Sequence, residues 1–313
     1  LNENLWSETG FASIKSNFGS IITKGIEFSI DATPVQTKDF QWDVGFNFTF
    51  WRTTIGKLPE NGADKNRTGG GIIFDPKLGK YVEAGGFAEG ERFGARFAYQ
   101  LDGVYSTDEE AANAPYDEGV SSVWLGKGKC AGDAIWRDVD GNGIINSKDM
   151  VFVGYLHPDK MGAFNNTFRY KNLTLKFMTD FSLGNVIDNQ FRAQANANSR
   201  HNYATIHDVA SSKMWHQPGD IASIPRYDVE SDWDNGKRNH GRPNSSTIGF
   251  SGGSVNTLYI KKGDYWAFRE LSLSYALQTK WLKAAKIETL DITAAVYNLG
   301  YLTAYDGLTP EVI

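Results

Sequence analysis

A chain of 313 residues is long enough to bury a sizeable core, and its length suits one or two domains. Aromatic residues make up 13% and charged residues 22%, and the net charge is a modest -5, with no basic run interleaved with aromatics of the kind that binds nucleic acid. No stretch of about 18 apolar residues is present, which excludes a transmembrane helix, and the single cysteine, Cys130, cannot form an internal disulfide.

Taken in chain order, residues 1–4 show neither a cationic head nor an apolar run, so no signal peptide is expected at this point of the chain. The first regular signal is period-two alternation. Ile26, Phe28 and Ile30 alternate with Glu27, Ser29 and Asp31. Residues 33–38, which include Pro34, are expected to connect this strand to the next. There Phe40, Trp42, Val44, Phe46, Phe48 and Phe50 alternate with Gln41, Asp43, Gly45, Asn47 and Thr49. A strand puts two such sets on opposite faces.

The pattern returns at residues 164–170 and, after a tight turn at Lys171 and Asn172, in Leu173, Leu175, Phe177, Thr179, Phe181 and Leu183. It returns again in Arg269, Leu271, Leu273, Tyr275 and Leu277, which predicts these on one face and Phe268, Glu270, Ser272 and Ser274 on the other. Leu290, Ile292, Ala294 and Val296 complete a third hairpin. Two long polar excursions, about 51–161 and 184–263, separate the hairpins. Loops this long are unusual in a compact soluble domain.

Short turns at one end and long loops at the other are the pattern of a bacterial outer-membrane barrel. Strands of about ten residues exceed the usual five or six and match a tilted bilayer span. Leaving Trp42, Phe46, Phe48 and Phe50 in water would forgo about 1.5–3 kcal/mol per side chain, so lipid or a second sheet must cover them. An antiparallel transmembrane β-barrel and a soluble β-sandwich both satisfy that demand.

The sharpest local motif is Asp138-Val-Asp-Gly-Asn-Gly-Ile-Ile-Asn-Ser-Lys-Asp149. As a calcium loop it would offer Asp138, Asp140 and Asn142, the backbone carbonyl of Ile144, then Asn146 and Asp149, with Gly143 at the sharp turn. No amphipathic helix precedes it, and strand-like residues follow, so it is not an EF-hand. A plain Asp/Asn/Gly turn capping its own backbone is the competing reading.

His201, His207, His216 and His240 are too scattered for a metal cluster. Trp215 and Trp233 lie among polar residues, where they could stack on sugar rings or pack a loop. No Ser-centred elbow, HExxH or phosphate loop is present; Gly69-Gly-Gly71 lacks the following Lys-Ser/Thr.

Five stretches in order resemble the SusC/RagA family of TonB-dependent outer-membrane transporters of Bacteroidota. They are Asn17-Phe-Gly-Ser-Ile-Ile-Thr-Lys-Gly-Ile-Glu27; Gly103-Val-Tyr-Ser-Thr-Asp-Glu-Glu110; Gly132-Asp-Ala-Ile-Trp-Arg-Asp-Val-Asp-Gly-Asn-Gly-Ile-Ile-Asn146 with Gly154 and Pro158; Gly263-Asp-Tyr-Trp-Ala-Phe-Arg-Glu-Leu-Ser-Leu-Ser-Tyr275; and Asn298-Leu with Pro310-Glu-Val312. Thr23 and Thr309 depart from the family's usual Asn and Asp.

The resemblance implies the C-terminal third of a barrel of about 22 strands around a plug. The plug domain and TonB box are expected elsewhere in a longer protein. It also implies a non-enzymatic function in the outer membrane: import of a glycan or peptide beneath a SusD-like surface lipoprotein, driven by TonB, with both excursions extracellular. Calcium is the one cofactor the residues suggest. A soluble calcium-dependent carbohydrate-binding sandwich and a secreted hydrolase are the rival expectations.

Overall fold

The computed structural model describes residues 2–4, 8, 10, 13–15, 19–117, 129–189, 213–226 and 256–311. In chain order the strands are β1 (Asn2–Asn4), β2 (Ser13–Lys15), β3 (Ser20–Gln36), β4 (Phe40–Lys57), β5 (Gly71–Asp75), β6 (Lys80–Ala84), β7 (Ala95–Tyr99), β8 (Leu101–Val104) and β9 (Tyr116–Asp117). They continue as β10 (Ala134–Trp136), β11 (Ile144–Ile145), β12 (Met150–Tyr155), β13 (Lys160–Tyr170), β14 (Leu173–Leu183), β15 (Val186–Asp188), β16 (Ile260–Lys262), β17 (Tyr265–Leu277) and β18 (Leu290–Thr303). No described helix is long and apolar enough to cross a membrane.

The chain divides into two compact units. The wall unit comprises Thr23–Thr53, His157–Asn185 and Lys262–Ile313. Its six-stranded sheet runs in the order β18-β17-β14-β13-β4-β3. The described registers are antiparallel: Phe46 faces Phe164, Phe164 faces Thr179, and Leu273 lies between Leu175 and Ala294. β4 ends and β13 begins at the same end of the sheet, as do the end of β14 and the start of β17, so both excursions leave and return there.

The alternation resolves into two chemically distinct faces. One carries Phe40, Trp42, Phe48, Phe168, Leu175, Phe181, Trp266, Leu273 and Val296. The other carries Gln41, Asp43, Arg169, Lys176, Asp180 and Ser272. Apolar side chains stay open to the surroundings, with Ile26 68%, Phe28 51%, Ile292 58% and Val296 57% exposed. Polar side chains instead bond across strands. Thr33 and Gln41 donate to Asp43, whose carboxylate also takes the guanidinium of Arg169.

Two sequence expectations change here. β3 continues through residues 33–36, so Pro34 sits within the strand and the turn shrinks to residues 37–39. Pro34 lacks an N–H, and β3 is the edge strand of this sheet among the described residues, a position that tolerates proline. Arg269 does not share a face with Leu271. The registers of β17 with β14 and with β18 both skip it, because one extra residue makes a β-bulge. The bulge turns Phe268 and Trp266 to the apolar face and sends the Arg269 guanidinium to Asp180 and Glu311.

The loop unit comprises Leu1–Ile22, Thr54–Leu156 and Val186–Lys261. β4 carries on past Phe50 to Lys57, and the excursion that follows builds short pairs: β5 with β6, β7 with β12, β8 with β10, and β9 with β11. Its core is a chain of small clusters. Tyr99, Trp136 and Ile145 form one, Met214, Ile224, Leu258 and Tyr259 a second, and Ala98, Val186 and Ile260 a third. Such local cores give an otherwise polar excursion a fixed framework on which to hold side chains.

Candidate functional site

Residues 138–149 close on themselves through their own carboxylates. Asp138 accepts the backbone amides of Gly141 at 2.8 Å, Asn142 at 3.2 Å and Gly143 at 2.7 Å. Gly141 and Gly143 hold positive φ angles of 71° and 79°, which only glycine adopts without strain. Asn142 accepts from Ile144 N–H at 2.7 Å. Asn146 and Asp149 cap a 3-10 turn reciprocally: Asn146 accepts from Lys148 N–H, and Asp149 from Asn146 N–H.

Asp149 is fully buried, and its second oxygen accepts Val139 N–H at 2.8 Å. That bond joins the start of the loop to its end. Burial pushes the Asp149 carboxyl above the usual carboxylate range; the two backbone amides pull the other way, and the charges of Asp140 and Asp138 add to the rise.

The structure thus brings Asp138, Asp140 and Asp149 together, with one oxygen of each within 4.8 Å of the others. Two oxygens on one calcium ion lie at most about 5 Å apart, twice a bond of 2.3–2.6 Å, so this spacing fits the ion. A carboxylate oxygen that accepts an N–H keeps a further lone pair for a cation. Asn142 and Asn146 likewise accept one loop N–H each through the side-chain oxygen and keep a further lone pair, and Ile144 opens the short β11.

A fourth side chain joins the loop from outside the motif. Tyr81 on β6 donates its hydroxyl to Asp140 at 2.7 Å, and this bond raises the tyrosine's pKa. Lys148 places its ammonium 5.2 Å from the Tyr81 ring. The separation of Tyr81 from Asp140 along the chain hides this partnership from any local motif.

Trp215 sits half-buried, its indole N–H donating to the Ser106 carbonyl at 3.2 Å. Its ring lies against Gly132, where an added Cβ would fall 2.6 Å from a ring carbon. Arg226 closes over the same glycine and pairs with the fully buried Asp133 at 3.1 Å. In this setting Trp215 pins the loop unit together. Cys130 belongs to the same corner, its thiol bonded to Asp133. His216 is exposed, with its backbone amide held by Asp220. Trp233, His201, His207 and His240 lie outside the described residues.

A cavity of about 280 Å³ opens near this site, walled by Ile73, Val82, Phe97 and Phe152 with Glu83 and Glu91 at its polar side. Arg67 spans the two glutamates and fixes that side.

Comparison with known proteins gives the same architecture. No family model matches the chain. The TonB-dependent receptors P39 and P3 of Formosa agariphila are each 27% identical to it over 97% of its length. SusC of Bacteroides thetaiotaomicron, a TonB-dependent receptor, is 24% identical over 96%. The solved RagAB peptide importer in its open-open state superposes over 99% of the chain with a TM-score of 0.62 at 16% identity. The fold is similar to that of the barrel in the RagAB structure. The chain spans 29% and 26% of the length of the first two relatives and 28% of the RagAB chain.

Proposed function

We propose that this chain is the C-terminal part of an outer-membrane importer. It would supply one arc of wall and two extracellular excursions to a TonB-dependent receptor that takes up a large nutrient. The observation that carries this reading is the two-faced sheet. An open apolar face with side chains such as Ile26 and Val296 more than half exposed suits lipid, and a polar face laced with Asp43, Arg169, Asp180 and Arg269 suits a solvated lumen.

The dimensions support it. One row of outward side chains crosses the sheet as Phe40, Tyr170, Leu173, Tyr275 and Ile292, and a second as Phe48, Gly162, Phe181, Trp266 and Leu302. Eight residues separate Phe40 from Phe48, about 27 Å at 3.4 Å per residue. At a tilt of about 40° this spans roughly 20 Å of membrane normal, on the scale of the ~25 Å apolar band of outer-membrane barrels.

The cargo is a glycan oligosaccharide, as the resemblance to the SusC/RagA family implies, or a peptide, by likeness to the RagAB peptide importer. A SusD-like lipoprotein is the expected lid, and TonB engages through parts of the protein outside this chain. The protein is a transporter and not an enzyme. Calcium bound by Asp138, Asp140 and Asp149 would brace the first excursion by neutralising three crowded carboxylates; it takes no part in chemistry.

The test is fractionation followed by uptake. The full protein should be recovered in the detergent-extracted outer-membrane fraction, and its deletion should abolish growth on either an oligosaccharide or a peptide source. A native protein soluble without detergent would overturn the reading in favour of a carbohydrate-binding sandwich.

A further inference from the structure

The three short turns of the wall unit form one cationic, aromatic rim, and we infer that this rim is a binding surface for anionic phospholipid headgroups. The inference rests on the outer-membrane reading, which places short turns at the periplasmic leaflet, where the headgroups are phospholipid.

Charge comes first. Residues 37–39, 171–172 and 278–289 hold five lysines (Lys38, Lys171, Lys280, Lys283 and Lys286) against two acids (Asp39 and Glu288), a local +3 in a chain of net -5. Lys38, Lys171, Lys280 and Lys286 are exposed, and no ion pair among the described residues uses them.

The rim is also a built structure. Lys171 N–H donates to the Asp39 carbonyl at 2.8 Å, tying the first turn to the second. Asn172 bonds Ala276 twice, accepting its N–H at 2.9 Å through the backbone and donating to its carbonyl at 2.8 Å through the side chain, which ties the second turn to the end of β17. The third turn folds into a short helix, Lys280–Ala284, that buries Leu282 and leaves Trp281 60% exposed.

Aromatics complete the interface. Tyr170, Tyr275 and Trp281 are about half exposed or more, and Lys171 holds its ammonium 5.4 Å from the Tyr170 ring. Tyrosine and tryptophan favour the headgroup level, and lysine stems lie along apolar surface while the ammonium reaches phosphate. The row Phe40, Tyr170, Leu173, Tyr275 and Ile292 continues this belt into the acyl region.

Native mass spectrometry of the full detergent-purified receptor, titrated with dioleoylphosphatidylglycerol or dioleoylphosphatidylcholine, tests the inference. The wild type should retain phosphatidylglycerol preferentially. At about fivefold per lysine, the K171Q/K280Q/K286Q variant should lose roughly a hundredfold in phosphatidylglycerol affinity, with phosphatidylcholine unaffected. K171R/K280R/K286R, which keeps the charge, should retain it. Equal phosphatidylglycerol affinity in wild type and the glutamine variant, or no preference in wild type, overturns the inference. Wild type absent from the outer-membrane fraction overturns the underlying reading instead.

Discussion

The ring of Phe181 on β14 lies directly over Gly162 on β13. The two are register partners, and a Cβ added at Gly162 would fall 2.6 Å from the ring and 2.4 Å from the Asn47 carbonyl. The missing side chain lets Phe181 stack on Trp266 with centroids 5.0 Å apart and on Phe48 at 6.4 Å. Three strands are thereby clasped by aromatic faces at the end from which the long excursions leave.

Gly162→Val should therefore push Phe181 out of this stack. The expected loss is about 1–3 kcal/mol, the usual cost of overpacking. Urea unfolding of the full receptor in detergent, followed by tryptophan fluorescence, measures it. An unchanged midpoint would show that Phe181 can yield without cost.

The bulge at Arg269 makes a second, sharper prediction. Its guanidinium grips Asp180 and Glu311, and the side chains of Arg269 and Asp180 are only about a quarter exposed. Arg269→Leu leaves two carboxylates without their counter-ion. Full burial would make that cost 3–5 kcal/mol; partial exposure lowers it to about 1–3 kcal/mol. Arg269→Lys keeps the charge but loses the two-pronged fork, so it should fall between wild type and leucine. An unfolding midpoint for lysine equal to that of wild type would refute the bidentate account.

Acid should loosen the join between β4 and the first excursion. Glu89 accepts Leu58 N–H at 2.8 Å and Asn66 Nδ2 at 3.0 Å, and these bonds, the backbone one first, hold its pKa below the ordinary glutamate value. A carboxylate with a lowered folded pKa contributes stability above its unfolded value, about 4.3, and loses it as pH falls through the folded value. Deuterium uptake in the peptide containing Leu58 should rise below about pH 4 in wild type, relative to intrinsic exchange. Glu89→Gln should raise uptake at pH 7 and remove that acid step. A wild-type profile without the step would refute the tether.

What the sequence disclosed follows from the range of the forces involved. Alternation in residues 40–50 and 173–183 is set by adjacent residues, so both faces were legible from one strand at a time. The Arg269 bulge was not, because an extra residue shows only against β14 and β18, and the plain alternation put Leu271 and Arg269 together. Residues 138–149 were legible as a loop because every bond within them is local. Tyr81 on Asp140, Trp215 on Gly132 and Arg226 on Asp133 were not, since each partner comes from a distant stretch and no spacing rule links them.

That loop allows a clean separation of its two readings. Every oxygen of Asp138 and Asp149 already accepts a backbone amide, so an amide side chain at either position would present an N–H to another N–H and break the turn. Asp140 is different. One oxygen accepts from Asn142 N–H, and the other accepts from the Asn142 amide and from the Tyr81 hydroxyl, which can rotate to accept instead. Asp140→Asn therefore removes one charge and the side-chain bond from the Asn142 amide while keeping the loop's backbone hydrogen bonds. If calcium sits among the three carboxylates, calorimetric titration of the full receptor should give binding heat in wild type that weakens at least tenfold in Asp140→Asn, because affinity in such loops follows ligand charge. Heat that is absent from wild type, or equal in the two proteins, would leave the carboxylates as backbone caps alone.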